Sequence, residues 1–398
     1  MKIPGTVYQV GGSVRDKIMG KPVSDLDYVV VGATEEEMIN AGFEKVGADF
    51  PVFLHPETKD EYALARTERK TGVGYNGFTT YSDKSVTLEE DLARRDLTMN
   101  AMAMDKNGNI IDPFGGQNDI RDKKIKHVSP AFSEDPLRIL RVARFAARFG
   151  FDIHPETMEL MRHIYISGET KHLTKERIWK ETSRAIMHDN AIIYFSVLQK
   201  VGLGSDILPG MPYWDFKGFE EFLDKNYSLS GKEEIFLNNL KSASLESRIA
   251  RWSLPVSLIK SHNDVMNWSN IGASKEVSNR ISMTQTIWNT FYDKPLDYSL
   301  KPNSDWLKLI VELDALRRPQ RWIDAFNDVK NQFIISNNID MFPETETVLT
   351  WINSLKVDAE KIAKEGTKET IAERIKEARA NQWIDLMDSY TSKKKYKI

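Results

Sequence analysis

The chain has 398 residues, 41% hydrophobic and 28% charged, a balance that excludes wholesale disorder. Single cores seldom grow past about 250–300 residues, so two or more packed units are expected. Cysteine is absent, which excludes disulfides, thiolate zinc sites and a cysteine nucleophile, and the net charge of −3 requires any polyanion-binding basic residues to be gathered into patches.

From Lys2 the chain enters a strand-like run, with no signal-peptide pattern and no apolar span of membrane length, so a cytoplasmic enzyme is expected. Val7–Val10 reads as a strand, Gly11-Gly12 as a turn, and Ser13–Met19 as a helix capped by Ser13 and ended by Gly20. Leu26–Val31 is a β-branched run typical of a buried strand. Glu35–Ala41 predicts a short helix, and Val52–His55 and Glu61–Ala65 predict further strands. Thr67–Tyr81 is glycine-rich without periodicity and predicts a mobile loop. Asn107-Gly108 is a hairpin signal between Ala101–Met104 and Ile110-Ile111.

Beyond about Ser133 helical periodicity dominates, broken at Gly150, Gly168, the 202–212 segment and Pro302. Val357–Ala380 predicts one or two amphipathic helices, and Lys393-Lys394-Lys395 a basic tail. The expected fold class is therefore an α/β (α+β) head with a small mixed sheet at 1–133, an all-α neck at 134–200, and a helical body and tail at 201–398.

Gly11-Gly12-Ser13-Val14-Arg15-Asp16 places a close-approach turn before a helix, where free N–H groups favour an anion and Arg15 can fork onto a phosphate. A plain turn has the same composition. Asp25 and Asp27 are i and i+2 on a strand, so both carboxylates face one side and can share a cation such as Mg²⁺ with substrate phosphates. A solvated turn remains the alternative for an isolated pair, and Glu61 is a candidate third carboxylate or a plain edge residue. Arg94-Arg95-Asp96 suits either a triphosphate or ribose contact or a surface ion-pair cluster.

Asp135 and Pro136 suit the cap and first position of a helix that carries Arg138, Arg141, Arg144 and Arg148 along one stripe. Ile139, Val142, Phe145, Ala146 and Phe149 fill the adjoining face, so the arginines are offered to an anion or simply to water. Cytosine and adenine both present an amine donor beside a ring-nitrogen acceptor, whereas uracil and guanine present the reverse. Asp135 accepting and Arg138 donating would match the first pair and mismatch the second.

GGSVRD at 11–16, DLD at 25–27, RRDLTMNA at 94–101 and EDPLRILRVARF at 134–145 together resemble the class II CCA-adding tRNA nucleotidyltransferases, a family shared with bacterial poly(A) polymerases. The segment 50–78 resembles the bacterial multifunctional form, and the likeness fades after about residue 200. The resemblance implies Asp25 and Asp27 as catalytic metal ligands, with Mg²⁺ the cofactor. It implies Gly12, Arg15, Arg95, Asp135, Arg138, Arg141 and Arg144 as the nucleotide site for CTP and ATP, and 178–181 as the segment that steadies the arginine helix. The helical part would hold the acceptor and T-arm side of tRNA through shape and backbone. Neither a membrane nor an obligate protein partner is implied.

Some relatives carry a phosphohydrolase domain built on a His…His-Asp…Asp set. Here the sole His-Asp dipeptide is His188-Asp189 and only His262 follows it, so the phosphohydrolase site is expected to be missing. A poly(A) polymerase, a CC-adding enzyme and an inactive RNA-binding protein are the rival readings. The loop at 67–81 counts against the first two, because the family's loop accompanies the switch from C to A. The retained aspartates count against the third.

Overall fold

A computed structural model describes residues 2–23, 25–46, 52–70, 78–207, 247–248, 271–292, 294–295, 298–337, 342–364 and 368–394. The chain divides into two compact units, Met1–Ile207 and Leu208–Ile398.

The first unit is built on β1 (Thr6–Val10), β2 (Asp27–Val31), β3 (Glu44–Val46), β4 (Val52–Leu54) and β5 (Glu61–Leu64). The hairpin β8 (Ala103–Met104) and β9 (Ile110–Ile111) extends them into a seven-stranded mixed sheet, order β3-β4-β5-β2-β1-β8-β9. Within this sheet, among the described residues, only β2 and β5 run parallel, with Asp27 opposite Glu61; β1 pairs antiparallel with β2 and β8. Successive residues of β2 serve opposite faces. Val29 packs with Val10, Leu92 and Ala103, and Val30 with Met38, Phe53 and Leu64. That alternation makes the β-branched run a core strand and leaves its first residue, Asp27, at the sheet's end.

Helix α1 (Gly12–Ile18) follows β1 directly. Its N-cap is Gly11, not Ser13, whose hydroxyl instead donates to the Val10 carbonyl at 3.0 Å. Capping boxes start α2 (Glu35–Asn40) at Thr34 and α3 (Leu88–Ala93) at Thr87. The hairpin signal holds: Gly108 sits at φ 86° between β8 and β9. The expected loop at 67–81 is corrected at both ends, where β6 (Thr67–Lys70) and β7 (Phe78–Tyr81) pair antiparallel; residues 71–77 of that expectation lie outside the described residues. Thr, Tyr and Phe at these ends suit a ladder, a preference that the glycines between them masked.

After α4 (Gly116–Arg121) and β10 (Lys124–Ile125), helix α5 spans Leu137–Phe149. It begins one residue later than expected, with Pro136 as its N-cap, yet the Asp135 carboxylate still accepts from the Leu137 amide at 3.1 Å. Gly150, at φ 67°, ends it. A two-residue strand, β11 (Asp152–Ile153), interrupts the expected all-α neck by pairing with β10. Helices α6 (Pro155–Ile166), α7 (Lys175–Ile186) and α8 (Ala191–Val201) complete it. His188 lies in the turn after α7, where its N–H donates to the Ala185 carbonyl; His262 lies outside the described residues.

The second unit is helical among the described residues, with helices at Lys275–Phe291, Ser304–Glu312, Pro319–Asn337, Thr345–Ser354, Ala359–Lys364 and Lys368–Lys394. Trp288, Trp306, Trp322, Trp351 and Phe326 form its core. The indole N–H of Trp306 donates to the Ser299 carbonyl at 2.9 Å and that of Trp322 to Leu309 at 3.2 Å, so burial leaves neither unsatisfied. Within the expected 357–380 span, Ala359–Lys364 and the start of Lys368–Lys394 are helical, 357–358 are not, and 365–367, like Lys395, lie outside the described residues. No described helix is long and apolar enough to cross a membrane.

Candidate active site

The first unit encloses a cleft of about 580 Å³ that brings together residues far apart in sequence: Gly11, Gly12 and Arg15 from the first turn, Asp27 from β2, Arg94–Asp96, and Asp135, Arg138, Arg141 and Arg144 from the start and flank of α5. Nine arginines and three aspartates line it, an excess of positive charge suited to a polyphosphate.

Gly11 holds φ 74° and ψ −133°, a conformation open in practice to glycine alone. A Cβ there would stand 3.1 Å from Nη1 of Arg95, so the missing side chain is what lets that guanidinium lie over the turn. Arg95 donates to Asp91 at 3.1 Å, while its buried Nε has no partner among the described residues. Arg94 pairs with the same Asp91 at 2.7 Å, and Asp91 is fully buried. Burial alone would raise the Asp91 pKa, but the two guanidinium groups outweigh it and hold the carboxylate ionised.

Arg15 is nearly enclosed. Its Nε donates to Asp16 at 2.9 Å and its Nη1 to Asn100, and its guanidinium lies 5.2 and 5.0 Å from the rings of Phe145 and Phe149. The motif residue expected at a phosphate thus also clamps α1 to α5. Asp16 reinforces that clamp by accepting from Arg148 at 2.9 Å.

The arginine stripe of α5 is neither solvated nor simply offered to an anion. Arg141 donates to Asp96 at 2.7 Å, and Arg144 pairs with buried Glu181 on α7 at 2.5 Å. Asp96 is buried, which would raise its pKa, but Arg141 and the Asn100 amide drive it well below the usual carboxylate range. Arg138 donates to the carbonyls of Ala131 and Arg94 at 2.9 and 2.7 Å. Asp135 accepts from Arg177 of α7 at 2.8 Å. The expected steadying segment is therefore real in one respect: Glu181 anchors the helix that carries the base-reading candidates.

Asp25 and Asp27 are both exposed; Asp27 lines the cleft, and Asp25, two residues earlier, lies outside its lining. Burial, the facing Glu61 and the charge of Asp25 all raise the Asp27 pKa, opposed by Arg95. Carboxylates held close enough to repel are a donor set that suits a divalent cation, hard oxygen ligands being its preference. Among the described residues no group of three or more His, Asp or Glu closes a cage by itself. The strand begins only at Asp27, so Asp25 precedes it and the expected placement of both carboxylates on one strand face is not met; Asp27 alone of the two is offered to a cation in the cleft.

Sequence reasoning missed Asp91, Asp16 and Asn100 as the partners that orient the arginines. Asp91 reads as an ordinary first-turn acid of α3, and nothing in its neighbourhood announces that two arginines downstream will close on it.

The chain is similar to proteins already known. The family described as "Poly A polymerase head domain" matches residues 7–126, and that described as "Probable RNA and SrmB- binding site of polymerase A" matches residues 150–214. The multifunctional CCA protein of Acinetobacter baumannii (strain ATCC 17978) is 44% identical over 342 residues, covering 80% of this chain and 82% of that protein. The protein of the same name from Pseudomonas fluorescens is 58% identical over 206 residues, 51% of this chain and 50% of that one. Among solved structures, the Bacillus stearothermophilus CCA-adding enzyme in complex with CTP has a similar fold, with TM-score 0.61 and 21% identity over 98% of this chain and 94% of that one. A tRNA nucleotidyltransferase complexed with a primer tRNA and an incoming ATP analog gives TM-score 0.55 and 23% identity over 88% and 95%.

Proposed function

The chain belongs to the family of multifunctional CCA proteins, and from that membership we propose that it adds CCA to the 3′ end of tRNA, taking CTP and ATP and releasing pyrophosphate. The observation that carries the reading is the convergence of Asp27, the glycine turn, and the Asp135–Arg138 pair on one arginine-lined cleft. No member of that set is diagnostic alone.

In this reading Gly12, Arg15 and Arg95 hold the nucleotide's sugar and phosphates at the turn, with Arg141 and Arg144 beside them. Asp135 and Arg138 read the base edge. Asp135 accepts the exocyclic amine of cytosine or adenine, and Arg138 exchanges one of its carbonyl partners for the ring nitrogen. Uracil and guanine would leave both groups mispaired.

Asp25 and Asp27 would ligate divalent metal, as family membership implies, and we assign it as Mg²⁺ from the all-oxygen donor set. When bound, such an ion lowers the pKa of the attacking 3′-hydroxyl and offsets charge on the leaving pyrophosphate. The arginines of the cleft supply the rest of the charge neutralisation without any covalent enzyme intermediate. The helical second unit would grip the tRNA, the reaction would take place in the cytoplasm, and no phosphohydrolase activity would accompany it.

The test uses tRNA lacking its last three nucleotides, with CTP and ATP supplied separately and together. Growth by three nucleotides only with both substrates is the expected outcome. A long A tail, arrest after two C residues, or no extension would point instead to a poly(A) polymerase, a CC-adding enzyme or an inactive binder.

A further inference from the structure

Helix α7 carries Arg177, Glu181 and Arg184 at i, i+4 and i+7, one face of the helix, and Arg177 and Arg184 line the cleft. The first two are committed to α5, Arg177 to Asp135 and Glu181 to Arg144 and, at 3.9 Å, Arg141. These pairings advance along both helices in the same sense. Arg184 lines the same cleft as Arg148, which Asp16 ties to α1 of the glycine turn. Arg184 is exposed at the cleft wall, and among the described residues no group pairs with it. Of the nine arginines that line the cleft, Arg184 is thus the guanidinium left over among the described residues.

We propose that Arg184 binds the phosphate tail of the incoming nucleotide, and the pyrophosphate that leaves from it. The inference rests on the nucleotidyl-transfer reading above. A planar guanidinium presents paired N–H donors that match phosphate oxygens, and one with no protein partner gives up no existing bond when it engages. Its place in the last turn of α7 also favours a cation through the helix dipole, but that role would be filled equally by a residue pointing to solvent rather than into the cleft.

The experiment measures binding of inorganic pyrophosphate to the full chain by calorimetry, with no RNA present, for the wild type, Arg184→Ala, and Arg121→Ala as a charge-matched control on the exposed end of α4. Loss of one charge-assisted contact should weaken pyrophosphate binding about tenfold in Arg184→Ala and leave Arg121→Ala unchanged. In the extension assay, KM for CTP and ATP should rise together by a similar factor, with KM for tRNA and the choice of nucleotide unaltered. Equal pyrophosphate affinity in the wild type and Arg184→Ala overturns the proposal, as does a rise confined to the KM for tRNA, which would place an RNA backbone phosphate there instead. Wild-type protein that binds pyrophosphate but extends no RNA would sink the functional reading and leave the binding role of Arg184 standing.

Discussion

Arg177 donates to the Asp135 carboxylate at 2.8 Å, joining residues 42 positions apart across the start of α5. The contact fixes which way the carboxylate faces, in a cleft where Arg138 is held by two backbone carbonyls. The two groups proposed to read the base are therefore both held by protein contacts, and preorganisation of this kind lowers the ordering cost of binding.

Discrimination should fall when that orientation is lost. Asp135→Ala and Arg138→Ala should each lower the preference for CTP over UTP by about 10- to 100-fold, the worth of a hydrogen bond to a charged group. Arg177→Ala should lower it less, with Asp135 still present but loosely held. Single-nucleotide incorporation assays with each of the four triphosphates read this directly, and unchanged preference in both template variants would sink the base-reading role.

Asp27→Ala should cost about a thousandfold or more in kcat, several kcal/mol of lost transition-state stabilisation. Thermal stability in metal-free buffer should stay level or rise slightly, because the substitution relieves repulsion by Asp25 and Glu61. A Tm that falls sharply would instead give Asp27 a structural role.

Glu181 is the buried partner of Arg144, and both side chains are almost wholly shielded from solvent. Glu181→Ala should destabilise the first unit by about 3–5 kcal/mol by leaving a buried guanidinium unpaired. Hydrogen exchange at the amides of α7 under increasing denaturant measures it. The double variant Glu181→Ala/Arg144→Met should recover part of the loss.

At Gly11 an alanine meets two obstacles, the backbone conformation at φ 74° and the Arg95 guanidinium. Gly11→Ala should cost about 1–3 kcal/mol in stability and raise the KM for both nucleotides as Arg95 is displaced. Calorimetry and extension kinetics on the same preparation separate the two effects.

The Asp96 carboxylate is held below its ordinary pKa in the folded state, so its contribution to stability is complete above the unfolded value of about 4. It is lost as pH falls from there through the depressed folded value. Tm against pH should therefore drop steeply below about pH 4 in the wild type and more gently in Asp96→Asn, which keeps an acceptor for Arg141 but has no proton to take up.

The chain itself dictated much of this. Alternation in β2, the hairpin at Asn107-Gly108, and the apolar face of α5 follow from local periodicity and turn chemistry, which need no distant partner. The motif residues were also legible, because Asp27, Arg95, Asp135 and Arg138 carry unusual chemistry in short fixed spacings. What tertiary structure decided was the use of each charge. The sequence shows arginines on one helical stripe, but only packing assigns Arg141 to Asp96, Arg144 to Glu181, Arg148 to Asp16, and Arg138 to backbone carbonyls. Ion-pair partners separated by tens of residues leave no periodic trace, since any acid brought within reach serves as well as another. The same holds at Gly11, where, besides the φ of 74°, the room left by the missing side chain is taken by an arginine more than eighty positions later.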